Sequence, residues 1–152
     1  MEGISQVTSI RQIVIKKNEV SEETIAYLEE ILSRPFPDNL HDLRLISVKT
    51  SPYMITDLVE KLSENCLLKK ISLVDCCLTD AHVPPLQTMI EEGRFLVELD
   101  ISWSQITPCI LIQLTEFLAE NRQLQVVNLS YNPFTSHTKK AEFVREMEYD
   151  EI

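Results

Sequence analysis

An apolar pattern, Leu-x-x-Leu-x-Leu-x-x-Asn-x-Leu in loose form, recurs five times along the 152-residue chain. Its copies begin at positions 10, 40, 68, 96 and 124, so the intervals are 30, 28, 28 and 28 residues. A nearly fixed period of this length is typical of repeat proteins, in which each unit buries its apolar edge against its neighbours. The pattern therefore predicts a solenoid of about five similar coils.

Each copy predicts one strand followed by one helix. In residues 98–102 apolar and polar side chains alternate, which is the pattern of a half-buried strand. Helical spacing follows each predicted strand, and in the first unit it places Ile25, Leu28 and Leu32 on one face. Residues predicted to cap or open the helices are Ser21, Pro52, Asp80 and Thr107. Parallel strands would then form an inner wall and helices an outer wall.

The strand motifs and the helical unit of about 28 residues resemble the ribonuclease-inhibitor-like class of intracellular leucine-rich repeats. The resemblance implies an α/β fold: a short horseshoe arc with a parallel inner sheet of about five strands and outer helices. It also implies protein binding, since this class includes enzyme inhibitors, GTPase-activating proteins, immune sensors and cytoskeletal regulators. The motif residues of the last three units are Leu68, Ile71, Leu73, Cys76, Leu78; Leu96, Leu99, Ile101, Ser104, Ile106; and Leu124, Val127, Leu129, Asn132, Phe134.

One position departs from the family pattern. Asn18, Cys76 and Asn132 fit its Asn-or-Cys slot, whereas Val48 and Ser104 do not. Valine cannot satisfy backbone groups in the turn, and an unpaired buried polar group costs about 1–3 kcal/mol. We therefore expect the second unit to be irregular.

The motif spacing predicts a repeat domain over residues 1–136, with 1–9 as a partial N-terminal cap. Residues 137–152 are predicted to form a C-terminal capping helix and an acidic tail, because a terminal coil would otherwise expose its strand edge. The alternative for this helix is that it docks a partner or leads into further sequence.

The chain is acidic, with 14 Lys plus Arg against 24 Asp plus Glu and a formal charge of −10. This charge disfavours nucleic acid and anionic membranes as partners, and no apolar run has the ~20 residues needed for membrane insertion. Cysteines sit in apolar settings (Cys76 in the Asn slot, Cys109 in a helix), where they usually act as small buried hydrophobes in a reducing compartment. An intracellular, cytoplasmic location is predicted.

Aligning the units predicts which residues share the inner wall. Trp103 and Tyr131 occupy equivalent positions at the strand exit, so ~4.8 Å strand spacing would place them side by side. Trp103 is either a binding anchor or packs over the strand edge beneath Tyr131. The candidate partner-binding residues are Trp103, Tyr131, Asp75, Glu98, Asp100, Asn128, Arg44 and Lys16.

Catalytic chemistry is not expected. His41, His82 and His137 fall in different parts of different units and are predicted to be solvated at the surface. Cys76, Cys77, Asp80 and His82 form a single cluster, whereas zinc ligands usually come in two. We predict no catalytic residue, metal or cofactor. The expected function is non-enzymatic binding of a protein with a basic surface, as an adaptor or complex subunit; the alternative is regulation of a partner enzyme, as an inhibitor or GTPase activator.

Overall fold

A computed structural model of the chain describes residues 10–33, 40–64 and 67–133. Strand and helix alternate along these residues. The strands are β1 (Gln12–Lys16), β2 (Asp42–Ile46), β3 (Lys70–Val74), β4 (Glu98–Asp100) and β5 (Val126–Asn128). The helices are α1 (Glu22–Leu32), α2 (Pro52–Glu64), α3 (Val83–Glu92) and α4 (Pro108–Glu120), and a short 3-10 helix at Asp80–His82 precedes α3.

The strands form one parallel sheet in the order β1-β2-β3-β4-β5. Its register repeats the intervals of the sequence, so the first residues of consecutive strands pair with each other. These pairs are Gln12 with Asp42, Asp42 with Lys70, Lys70 with Glu98, and Glu98 with Val126. The mixed α/β fold with a five-stranded parallel sheet and the predicted alignment of the units are therefore confirmed.

The hydrophobic core lies between the sheet and the helices. Leu43 and Leu45 of β2, like Ile71 and Leu73 of β3, are buried, while the residues between them are more accessible. Each helix packs against the next one in sequence. The predicted inward face of α1, with Ile25, Leu28 and Leu32, is confirmed as buried. Helices α2 and α3 bury the corresponding faces: Ile55, Leu58, Val59, Leu62; and Val83, Leu86, Met89, Ile90.

The start of α3 differs from the prediction. Asp80 does not cap this helix; its carboxylate accepts hydrogen bonds from the Thr107 amide (2.6 Å) and the Thr107 hydroxyl (2.7 Å) of the next unit. The turn before α3 is instead closed by Thr79 and His82, because the Thr79 amide donates to His82 Nδ1 (2.9 Å). A sequence pattern alone cannot distinguish a carboxylate that caps its own helix from one that ties two units together.

His82 is not solvated at the surface, contrary to the prediction. Only 3% of it is exposed, and its Nε2 lies 3.2 Å from Thr56 Oγ1 of the preceding helix. Since Nδ1 accepts the Thr79 amide, the ring proton belongs on Nε2, which donates to the Thr56 hydroxyl. Both ring nitrogens thus have partners, which is how an imidazole can be buried at low cost.

The predicted irregularity of the second unit is wrong for its described elements. Strand β2 has five residues and pairs along its full length with both neighbours. Val48 is buried in the core, and the carbonyl of Leu45 accepts instead from Cys76 Sγ of the next unit at 3.4 Å. The equivalent Asn132 amide donates to the carbonyls of Ile101 and Leu129. The neighbouring unit therefore supplies, through Cys76, one of the hydrogen bonds to the turn that the Val48 side chain cannot make.

Several sequence predictions fall outside the described residues. They are the N-terminal cap at 1–9, the last motif residue Phe134, His137, and the capping helix and tail at 137–152.

Candidate functional site

The residue that follows each strand motif adopts a left-handed backbone conformation. We call these five residues the strand-exit column: Lys17, Ser47, Asp75, Trp103 and Tyr131. Their φ angles are 50°, 51°, 52°, 57° and 61°, respectively. The backbone amides of its first four residues donate to carbonyls of the next unit; that of Asp75 donates to Ser102 O (3.1 Å) and that of Trp103 to Ser130 O (3.0 Å). The sequence alignment placed Trp103 and Tyr131 at equivalent positions of this column. It did not indicate the left-handed conformation, because positive φ usually selects glycine and the column contains none.

Two aromatic rings stack on the exposed side of this column. The ring centroids of Trp103 and Tyr131 are 4.2 Å apart, and the ring planes differ by 15°. Trp103 is 54% exposed and Tyr131 is 70% exposed. Tyr131 covers one face of the Trp103 ring, as the packing alternative requires, while about half of Trp103 stays exposed, as a binding anchor requires.

Trp103 and Tyr131 share the left-handed backbone conformation of the strand-exit column, which is strained for large side chains. Left-handed backbone costs an L-residue roughly 1–2 kcal/mol, and bulky side chains adopt it rarely. The fold imposes this conformation on all five units, so the strain alone does not distinguish the last two. What distinguishes them is that the side chains displayed there are large, flat and apolar.

Most charges on this face of the sheet are already paired. Arg44 donates to Asp42 through Nε (2.9 Å) and Nη2 (2.8 Å), and Lys70 forms a salt bridge with Glu98. Burial raises the pKa of Asp42, but the hydrogen bonds from Arg44 and Gln12 outweigh it and hold that pKa below its usual value. Arg44 and Glu98, both predicted to bind a partner, therefore have intramolecular counterions.

Asp100 is also engaged within the chain. Its Oδ1 accepts from the amide (3.0 Å) and hydroxyl (2.7 Å) of Ser102, and its Oδ2 accepts from the Asn128 side-chain amide (3.0 Å). The other side-chain atom of Asn128, Oδ1, accepts from the Ser130 amide at 3.1 Å. These bonds brace the two turns that display Trp103 and Tyr131.

Asp75 differs from the other candidate acids of this face. It is exposed, and within residues 10–33, 40–64 and 67–133 no hydrogen bond or ion pair engages its carboxylate. It directly precedes Trp103 in the strand-exit column, one strand away. Lys16, in contrast, ends β1, which lies three strands from β4 or about 14 Å at the usual spacing. The structure thus brings Asp75, Trp103, Tyr131, Asp100 and Asn128 together and leaves Arg44 and Lys16 apart.

In the part of the chain that is described, no group of three or more His, Cys, Asp or Glu side chains could hold a metal ion. Cys76 is buried, whereas Cys77 and Cys109 are exposed, so the prediction that Cys109 is buried in its helix is wrong. Cys109 is the second residue of α4, a position from which its side chain escapes the core.

Burial makes Cys76 a source of alkaline sensitivity. It raises the pKa of this thiol from 9.0 to about 11. Between these values the unfolded chain has lost the proton and the folded chain retains it, so the free energy of unfolding falls as pH rises. We expect Cys76 to contribute a loss of about 1 kcal/mol between about pH 8 and about pH 10. Urea unfolding of the wild type and Cys76→Ala at both pH values measures it; equal losses in the two proteins would contradict it.

No helix in the described ranges is long and apolar enough to cross a membrane. Comparisons of sequence give no relative: no protein-family model matches the chain. No curated protein matches it significantly either.

Similar folds are found among solved structures. A structure of actin-binding site 2 of leiomodin-1 superposes with a TM-score of 0.55 at 14% identity, covering 65% of this chain and 58% of that chain. The tropomodulin C-terminal domain from Caenorhabditis elegans superposes with a TM-score of 0.49 at 15% identity, covering 95% of this chain and 86% of that one. The chain thus spans little more than half of the leiomodin-1 chain. The similarity to the leiomodin-1 structure concerns the fold alone.

Proposed function

We propose that this protein is a non-enzymatic protein-binding module of the ribonuclease-inhibitor-like leucine-rich-repeat class. In this proposal it forms a short arc and acts inside the cell as an adaptor or as a subunit of a larger assembly. The observation that supports it best is the exposed stack of Trp103 on Tyr131. The nearly constant interval of 28 residues supports the class, and the unpaired thiols of Cys76, Cys77 and Cys109 suit a reducing compartment.

The energetics of the aromatic pair favour recognition over a role in stability. Aromatic residues bury large areas with few rotatable bonds, and Trp and Tyr are enriched among the residues that dominate binding energy. Tyr131 already fixes the orientation of the Trp103 ring, so little further side-chain entropy is lost when a partner binds. The braced turns around Asp100 and Asn128 add to this preorganisation.

Replacing Trp103 with Ala should weaken partner binding about thirtyfold, or by about 2 kcal/mol, because the ring is a central apolar contact. The thermal melt should stay nearly unchanged, since the ring is more than half exposed. Affinity purification with quantitative mass spectrometry identifies proteins that the variant fails to retain. Titration of the purified partner then gives the change in dissociation constant.

Tyr53→Ala is the matched control for this experiment. Tyr53 is 72% exposed but lies on α2, away from the strand-exit column. Equal loss of a partner with Tyr53→Ala would indicate nonspecific adhesion, and retention of every partner by Trp103→Ala would refute the proposed site. A large fall in melting temperature would show that Trp103 instead packs for stability.

A second candidate function is regulation of a partner enzyme, as an inhibitor or GTPase activator. A partner recovered by the first experiment distinguishes the two: if it is an enzyme whose activity changes on binding, the protein is a regulator.

The fold similarity to actin-binding site 2 of leiomodin-1 supports one specific partner to test, actin. Co-sedimentation with filamentous actin, using wild type and Trp103→Ala, tests that candidate directly.

A further inference from the structure

We propose that the open face of Trp103, together with Asp75, binds an arginine side chain of the partner. This inference rests on the proposed function, because it specifies the chemistry of the same recognition surface. The net charge of the chain predicted only that the partner has a basic surface; this inference specifies that an arginine of that surface contacts Trp103 and Asp75.

The geometry follows from the order of the strand-exit column. Tyr131 stacks on one face of the indole, with nearly parallel planes. The stacking direction runs along the column, so the opposite face of Trp103 is turned towards the unit that displays Asp75. Trp103 is 54% exposed, which leaves that second face accessible. A flat group stacked on it would therefore lie over Asp75, one strand spacing of ~4.8 Å away.

Charge selects a cation for this position. Asp100 and Glu98 have intramolecular partners, whereas Asp75 has none among the described residues. The chain as a whole carries a formal charge of −10, which favours approach by a basic surface. The electron-rich face of an indole attracts the same cation, and tryptophan is the strongest of the aromatic residues in this respect.

Arginine fits better than lysine. Its guanidinium is planar, stacks on aromatic rings, and keeps its N–H donors at the edge, where a carboxylate can accept two of them. The lysine ammonium is compact and strongly hydrated, so it would gain less from the flat ring. An aliphatic side chain or proline could contact Trp103 but would gain nothing from Asp75.

The test uses capped tripeptides, acetyl-Gly-X-Gly-amide, in which X is arginine, citrulline, lysine or leucine. Because the chain contains one tryptophan, its indole N–H gives a single signal in the nitrogen-15 spectrum that reports this site alone. We expect the arginine peptide to shift the signal at concentrations about tenfold lower than its neutral isostere, the citrulline peptide. Lysine should fall between them.

The second part of the test removes the charge of Asp75 and repeats the peptide titrations. Asp75→Asn should weaken the arginine peptide about fivefold and leave the leucine peptide unchanged. Asn tolerates the left-handed conformation of this position, so the turn should persist. Glu91→Gln, which removes one charge on the exposed surface of α3, is the matched control and should change neither affinity.

The outcomes separate this inference from the proposed function. Equal binding of the arginine and citrulline peptides, or an arginine affinity unchanged by Asp75→Asn, would overturn the arginine site. If Trp103→Ala nevertheless loses its protein partner, the recognition surface stands and its chemistry is apolar. If Trp103→Ala retains every partner, the proposed function fails as well.

Discussion

Truncating Leu73 to alanine should lower the free energy of unfolding by about 3–5 kcal/mol. Leu73 lies in the central strand β3, is fully buried, and has a buried equivalent on each side, Leu45 and Ile101. Units on both sides hold the walls of the resulting cavity in place, so it cannot collapse without shifting a neighbour. Since single domains are stable by only about 5–15 kcal/mol, this one change would remove a large part of the total.

Ile15→Ala is the matched comparison for Leu73→Ala. Ile15 occupies the equivalent position in β1 but is only partly buried. We expect its truncation to cost about 1–2 kcal/mol, because less apolar area is lost and the site is freer to relax. Urea unfolding followed by circular dichroism measures both variants. Equal costs at the two positions would show that burial in the array does not govern stability.

His82→Ala should cost about 2–3 kcal/mol, although its sequence context suggested a solvated side chain. The change leaves the Thr79 amide and the Thr56 hydroxyl without their imidazole partner and opens a cavity between α2 and the start of α3. The start of α3 should also loosen, because His82 takes the place that Glu or Gln holds in a capping box. Thermal unfolding of the variant measures the loss.

His82→Gln tests the mechanism. Glutamine can accept the Thr79 amide as the third residue of a capping box, so this variant should recover roughly half of the loss. His41→Ala is a control of the same residue type, since His41 is more exposed and precedes β2. If Gln and Ala at position 82 were equally destabilising, the cap would contribute little and the cavity would account for the effect.

The sequence predicted the sheet well because its signal is repeated. An error of one residue in any unit would turn its apolar residues to the wrong face, so five copies fix the register together. The pairing of Asp100 with Asn128 and of Leu45 with Leu73 follows directly from the interval of 28 residues. The starts of α2 at Pro52 and of α4 at Pro108 could also be predicted from the sequence, because proline in the first helical turn is a local signal.

Side-chain partners could not be predicted in the same way. The carboxylates of Asp80, Asp100 and Glu98 are alike in sequence, yet the first ties two turns together, the second braces a turn and the third pairs with Lys70. Asp80 and Glu98 have their partners about one unit away, and Asp100 has Asn128 there besides Ser102 in its own turn. Which donor each carboxylate takes depends on rotamers rather than on the apolar pattern. Asp75 stands out only after these partners are known.

The shared backbone conformation of the strand-exit column affects how substitutions would alter the exposed surface. Lys17, Ser47 and Asp75 share a positive φ with the aromatic pair although their side chains differ, and inter-unit backbone bonds hold the first four residues of the column. A substitution at any of these sites would therefore present its new group in a preset direction, without rebuilding the scaffold. If the strand-exit column is the binding surface proposed above, its preference could be changed one residue at a time, and substitutions there are the way to direct the protein to a different target.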